Sequence, residues 1–204
     1  MPRVYPNYKN EARNSIMHAA MDLFRERGYH ATTMEQIADR LGVSKATLYT
    51  YYKSKEDLLV TAIKDAPSTI MSVMRESLSR SDILDQSGSF FDGMMDIVRS
   101  YSPGLFFEVM SEASRNEVIR DAVNEDAEST VTVIVDLLEE QRENGRLRPD
   151  LDLEALARGM SSLYYGLIAS LILDSDEKKA RKAWTASIEC MVAGAVTPGP
   201  HPVR

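Results

Sequence analysis

Residues 28–59 read GYHATTMEQIADRLGVSKATLYTYYKSKEDLL, and the spacing within this stretch decides the fold. Met34, Ile37, Ala38 and Leu41 recur at i, i+3, i+4 and i+7, the one-sided stripe of a short amphipathic helix. Thr32 and Glu35 stand where an N-cap and its N3 partner close a capping box. Gly42 stops that helix, and Ser44 offers a cap for a second one from Lys45 to about Tyr51. Two short helices around the turn Gly42-Val43-Ser44 have the anatomy of a helix-turn-helix. In the second, Leu48 and Tyr52 read as buried, which leaves Lys45, Ala46, Thr47, Tyr49, Thr50 and Tyr51 largely free. That set offers hydroxyls, a cation and small apolar surface for thymine methyls, the chemistry of a major-groove reader. An amphipathic hairpin with a merely polar surface fits the same pattern. Against it, Tyr49, Tyr51 and Tyr52 beside Lys53 and Lys55 make a poor inert face.

Working outward, almost every other segment also has helical spacing. A first helix is predicted from about Lys9 to Arg27, with Ala12, Ile16, Ala20, Leu23 and Phe24 on one face and Gly28 as its stop. Beyond the motif, a helix starts near Lys55 and is broken by Pro67, after which Ile70, Met71, Met74 and Leu78 resume the period. Residues 80–89 read as a loop, and Phe90 to Tyr101 as helix again. Ser102-Pro103 opens a short helix through about Ala113. Ser114 with Glu117 suggests a capping box for a helix reaching Asn144, and Asp152 and Ser175 are the expected caps of two more, ending near Leu173 and Gly194. The tail TPGPHPVR, residues 197–204, reads as disordered. No strand-like alternation or repeat competes, so the expected class is all-α with about nine helices.

Composition sets the outer limits. With 204 residues, 44% hydrophobic and 27% charged, the chain can bury a sizeable core without metal or disulfide. The single cysteine, Cys190, can form no internal disulfide, which points to a reducing, cytoplasmic setting, and it is expected to be inert packing. The longest apolar run, Leu163 to Leu173, reads as too short to span a bilayer, and the polar residues 1–15 lack the apolar stretch expected of a signal peptide. The net charge of −7 divides unevenly: residues 1–55 carry +4 and the remainder −11. A basic head on an acidic body suggests that only the head meets phosphates.

The quoted stretch resembles the tetracycline-repressor (TetR) family of regulators. The resemblance runs through Gly28 to Ala38, Leu41 to Tyr49 and Tyr51 to Leu59, and covers about residues 10–60. Ala46 and Tyr52 depart from it, where glycine and phenylalanine are common. It implies a DNA-binding domain at 9–60, with its motif at about 33–52, and a helical effector-binding and dimerisation domain at 61–196. It implies phosphate contacts from Thr33 and Lys55, with Ser44 capping the recognition helix beside phosphate. Lys45, Thr47 and Thr50 become base readers, with Tyr49 and Tyr51 on the flanking backbone and Tyr52 in the core. Arg3 and Lys9 are candidates for an arm extending towards DNA, with a floppy terminus the stronger reading for Arg3. A dimer would place two such helices in successive major grooves about 34–36 Å apart, on an inverted-repeat operator, with repression as the default mode.

The resemblance assigns dimerisation to the last two long helices, here 153–173 and 176–194. Met160, Leu163, Leu167 and Leu171 on the first, and Trp184, Ile188 and Met191 on the second, are the expected interface; cover for the chain's own core is the other reading. For an effector, the aromatic and methionine density of Phe91, Met94, Met95, Phe107, Met110, Tyr164 and Tyr165 suggests an adaptable apolar pocket. Glu108 and Glu112, four apart, would attract a cationic ligand unless they pair with neighbours such as Arg115. Pro67 is a candidate hinge between the two domains. Three histidines (His18, His30, His201) and no nucleophile, zinc or nucleotide motif leave no catalytic, metal or cofactor site to expect. An activator, or a helical adaptor without DNA binding, is the alternative.

Overall fold

The computed structural model describes residues 6–65, 88, 91–93, 95–96, 99, 103–174 and 176–196. Helices α1 (Pro6–Arg27), α2 (Met34–Leu41), α3 (Lys45–Tyr51), α4 (Lys55–Asp65), α5 (Pro103–Ala113), α6 (Glu117–Glu143), α7 (Leu153–Asp174) and α8 (Glu177–Ala195) account for nearly all of them. The residues described between 88 and 99 are helical as well. The fold is all-α: among the described residues the one β-type pairing is an isolated bridge, Leu147 to Val196. Pro67, Met94, Arg3, residues 80–87 and 89 of the expected loop, and the tail at 197–204 lie outside the described residues, while Gly88, the one described residue of that loop, is helical.

The helix ends follow from side-chain chemistry, with three corrections to the expected caps. The N-cap of α2 is Thr33, not Thr32, and its box partner is Gln36, not Glu35. The physical reason lies in Thr32, which is buried and turns its hydroxyl back to donate to the Gly28 carbonyl at 2.8 Å. Asn116, not Ser114, starts α6: its Oδ1 accepts from the Val118 and Ile119 amides, while Ser114 Oγ donates to the Ser111 carbonyl. Asp176 caps α8 by accepting from the Lys179 amide at 3.0 Å, where Ser175 had been expected. Asp152 does cap α7, through the Ala155 amide. Gly28, Gly42 and Gly145 all take positive φ and end α1, α2 and α6.

The chain forms two compact units, Met1–Ala66 with Tyr101–Glu125, and Pro67–Ser100 with Asp126–Arg204. The first is built on Ile16, Ala20, Leu23 and Phe24 of α1, which meet Ile37 and Ala38 of α2, Leu48 of α3, Leu58 and Leu59 of α4, and Leu105 and Ile119. The second closes over Trp184 with Phe91, Met95, Leu138, Leu153, Ala157 and Ile188. There the Arg148 amide donates to the Ala195 carbonyl at 2.9 Å, tying the turn after α6 to the end of α8.

The sequence reading of membrane length needs correcting at α7. Residues Leu153–Leu173 form a helix of 21 residues with mean hydropathy 1.3, long and apolar enough to cross a bilayer by length and composition alone. The uninterrupted apolar run understated it, because Glu154 and Arg158 sit near one end. Only 28% of that window is buried within the chain, so much of its surface is left uncovered.

Candidate nucleic-acid interface

The helix expected to read DNA, α3, is held along its inner side and at both ends. Ser44 lies extended at its start, and its Oγ accepts from the Thr47 amide at 3.0 Å. Leu48 is completely buried among Phe24, Ile37 and Leu58. At the far end Arg13 of α1 donates to the Tyr51 carbonyl at 2.9 Å and lies 4.4 Å over the Tyr52 ring. The Tyr52 hydroxyl donates back to the Arg13 carbonyl at 3.3 Å. A cation at the last carbonyls of a helix meets their partial negative charge. Burial pushes the Tyr52 hydroxyl above its ordinary value, which keeps it a neutral donor. Arg13 had not been singled out in the sequence; its only trace there is a cation beside the apolar stripe of α1.

With the inner side fixed, the outer side is free. Lys45, Ala46, Thr47, Tyr49 and Thr50 are exposed, and Tyr49 holds 46% of its surface open. Thr33 and Ser44 are exposed at the helix starts, whereas Tyr51 is half-buried and packs against the core. Thr50 Oγ1 donates to the Ala46 carbonyl and keeps lone pairs for an incoming donor. Lys45 Nζ stands 3.9 Å from Glu35, a pair more than half exposed on both sides and therefore weak.

Lys55 is placed differently from its expected phosphate contact. Its Nζ donates to the carbonyls of Tyr29 at 2.6 Å, Thr32 at 2.9 Å and His30 at 3.3 Å, and lies 4.3 Å over the Tyr29 ring. All three ammonium protons thus point at the loop after α1. Burial lowers the Lys55 pKa, partly opposed by Glu112 and Glu108. The same loop engages Glu108 and Glu112, the two candidates for a cationic ligand. Glu108 accepts from the Tyr29 amide, and Glu112 lies 3.2 Å from His30 Nε2. Arg115 bonds Ser111 instead of either. Burial, with Glu112 and Glu56 nearby, pushes the Tyr29 hydroxyl up to about 12. Gly28 admits Glu108 because it lacks a side chain: a Cβ there would stand 2.7 Å from Glu108 Oε1, at φ +86°.

The remaining effector candidates divide between the units. Phe107, Glu108, Met110 and Glu112 fall in the first, with Phe107 41% exposed. Phe91, Met95, Tyr164 and Tyr165 fall in the second, where Phe91 and Met95 are buried core and Tyr164 packs against it. Of the interface candidates, Leu167, Leu171, Trp184 and Ile188 are buried in the chain's own core, Met160 and Leu163 pack partly buried against it, and Met191 is half-buried. The exposed positions of the two helices mix small residues, Ala155, Ser162, Gly166 and Ser170 on α7 and Ala183, Ala186, Cys190 and Ala193 on α8, with charged ones such as Glu154, Arg158, Lys182 and Glu189, and with Leu173, 83% exposed.

A capped, anchored helix offering hydroxyls, a lysine and a tyrosine to solvent, seated on two supporting helices, defines a helix-turn-helix DNA-binding protein. Residues 16–62 match the bacterial regulatory proteins of the tetR family, and residues 90–187 match the tetracyclin repressor-like C-terminal domain. The chain belongs to the TetR family of transcriptional regulators. It is 22% identical over 200 residues to the HTH-type transcriptional regulator UidR of Escherichia coli K12, covering 94% of this chain and 97% of that one. Among solved structures it is similar to Salmonella enterica GusR, with a TM-score of 0.75, 23% identity, and 94% and 97% of the two chains covered. A regulator from Saccharomonospora viridis in complex with choline aligns with a TM-score of 0.71 at 23% identity, over 93% of this chain and all of that one.

Proposed function

We propose that this regulator is a repressor that binds an inverted-repeat operator as a homodimer and leaves it when a small molecule binds the C-terminal domain. The exposed outer side of α3 supports the reading most directly, because an inert helix would have no need of that chemistry beside a three-point anchor. Lys45, Thr47 and Thr50 contact base edges, Ala46 allows close approach, and Tyr49 and Tyr51 flank the backbone. Thr33 and Ser44 meet phosphate at helix starts. Lys55 braces the loop that positions them. The head comprises residues 9–60 and the effector and dimerisation domain 61–196, in a protein acting in the cytoplasm where its DNA lies.

For the dimer, the uncovered side of α7 and α8 is the supporting observation. Most of its large apolar residues serve the chain's own core, and the outward positions include the small residues Ala155, Ser162, Gly166 and Ser170 beside the exposed Leu173. Nothing lies within 4 Å of where a Cβ would stand on Gly159, Gly166 or Gly194, so a second copy has room to approach closely. The choline complex of the structural relative is consistent with small-molecule control. Gel shift on a selected operator tests the reading: a dimer-sized complex that dissociates steeply with salt is expected. Binding of a monomer, or binding without sequence preference, contradicts it.

A further inference from the structure

Two helical rows in the second unit carry polar groups amid an apolar core. On α6, Asp126 and Thr130 are one turn apart; on α7, Ser161 and Tyr165 repeat the spacing. Thr130 and Ser161 are each 6% exposed. A helical hydroxyl commonly donates to the carbonyl four residues back, as the exposed Thr132 and Ser162 do here. Neither Thr130 nor Ser161 makes such a bond among the described residues. Asp126 Oδ1 is wholly buried and has no hydrogen-bond partner. Burial raises the Asp126 carboxyl, and burial together with the Asp126 charge pushes the Tyr165 hydroxyl up to about 12. Arg158 is the one basic residue of α7, and it is engaged by Glu128 at 2.8 Å and Glu154 at 2.9 Å. No cation answers this half-buried carboxylate among the described residues.

We propose that Asp126 is the anchor for the headgroup of a cationic amine effector, with Thr130, Ser161 and Tyr165 as its polar surround. The proposal rests on the reading that this domain binds an effector, and names the ligand class. A carboxylate oxygen removed from water without a partner is costly, and a native structure keeps one where something else supplies the donor. An ammonium supplies both the donor and the opposite charge. An alcohol supplies the donor alone, and a carboxylate repels.

The test uses three probes that differ only in the headgroup, n-octylammonium, n-octanol and octanoate, titrated into the full-length protein by calorimetry. Octylammonium is expected to bind roughly tenfold more tightly than octanol, with octanoate weakest. In Asp126→Asn, which is nearly isosteric, the ammonium advantage should vanish while octanol binding stays. Equal binding of all three by the wild-type protein, or an advantage that survives Asp126→Asn, overturns the anchor but leaves an effector domain standing. Failure of every probe to bind overturns the effector reading and the anchor with it.

Discussion

Lys55, expected at a phosphate, directs its ammonium to three carbonyls of its own chain. Sequence pattern places a lysine beside a recognition helix, where phosphate is the natural partner; only coordinates reveal three carbonyls within reach of its ammonium. Replacement by methionine keeps the apolar stem and removes the donors. The expected cost is about 1.5–3 kcal/mol, a fall in Tm of several degrees, with the salt dependence of DNA binding little changed. An unchanged Tm with a shallower salt slope would instead restore Lys55 as a phosphate ligand. Asp126 gives the opposite sign. Its folded-state pKa is raised, so the associated stability is present below the unfolded value near 3.8 and is lost as pH rises through the folded value. Asp126→Asn should therefore melt higher than the wild type at pH 7, and the gap should close as pH falls toward 4 in parallel melts. Nothing in the sequence marked Asp126, because one acid among Glu125, Asp126 and Glu128 shows its inward direction only once α6 is packed.

The elements were more legible than their caps. Gly28, Gly42 and Ser44 announce their breaks because positive φ and N-cap bonding demand those residue types. The caps at Thr33, Asn116 and Asp176 slipped by one or two positions because neighbouring polar residues satisfy the same local rule, and tertiary contacts choose between them. The hold of α5 on the loop after α1 was invisible, since Glu108 and Tyr29 lie 79 residues apart. That hold makes a coupled prediction. Gly28→Ala is expected to destabilise by about 1–2 kcal/mol from its backbone conformation alone, and further through the clash with Glu108. In a Glu108→Ala background the clash is absent, so the same substitution should cost less; additive losses in a denaturation cycle would refute the contact. Thr33→Ala, removing one cap, should cost about 1 kcal/mol in the same assay.

At the scale of the whole molecule, hydrophobic periodicity located α7 and α8 but not the direction of their faces. Of the two readings open for Leu167, Leu171, Trp184 and Ile188, interface or own core, their burial within the chain favours the core; the pattern alone could not choose, because a core and an interface ask for the same large apolar residues. The small residues left outside predict a different mutational pattern. Gly166→Arg should leave the fold intact and yield monomers in size-exclusion chromatography with light scattering, whereas Leu167→Ala should lower Tm by creating a cavity worth about 2–5 kcal/mol. A Gly166→Arg protein that remains dimeric would place the interface elsewhere. The most direct test of the central claim is selection of the purified protein on random-sequence DNA, followed by gel shift with Tyr49→Ala. An enriched inverted repeat, bound as a dimer by the wild type and lost in a variant that melts normally, is the predicted result. No enriched sequence, or an operator bound equally well without the Tyr49 side chain, would contradict it.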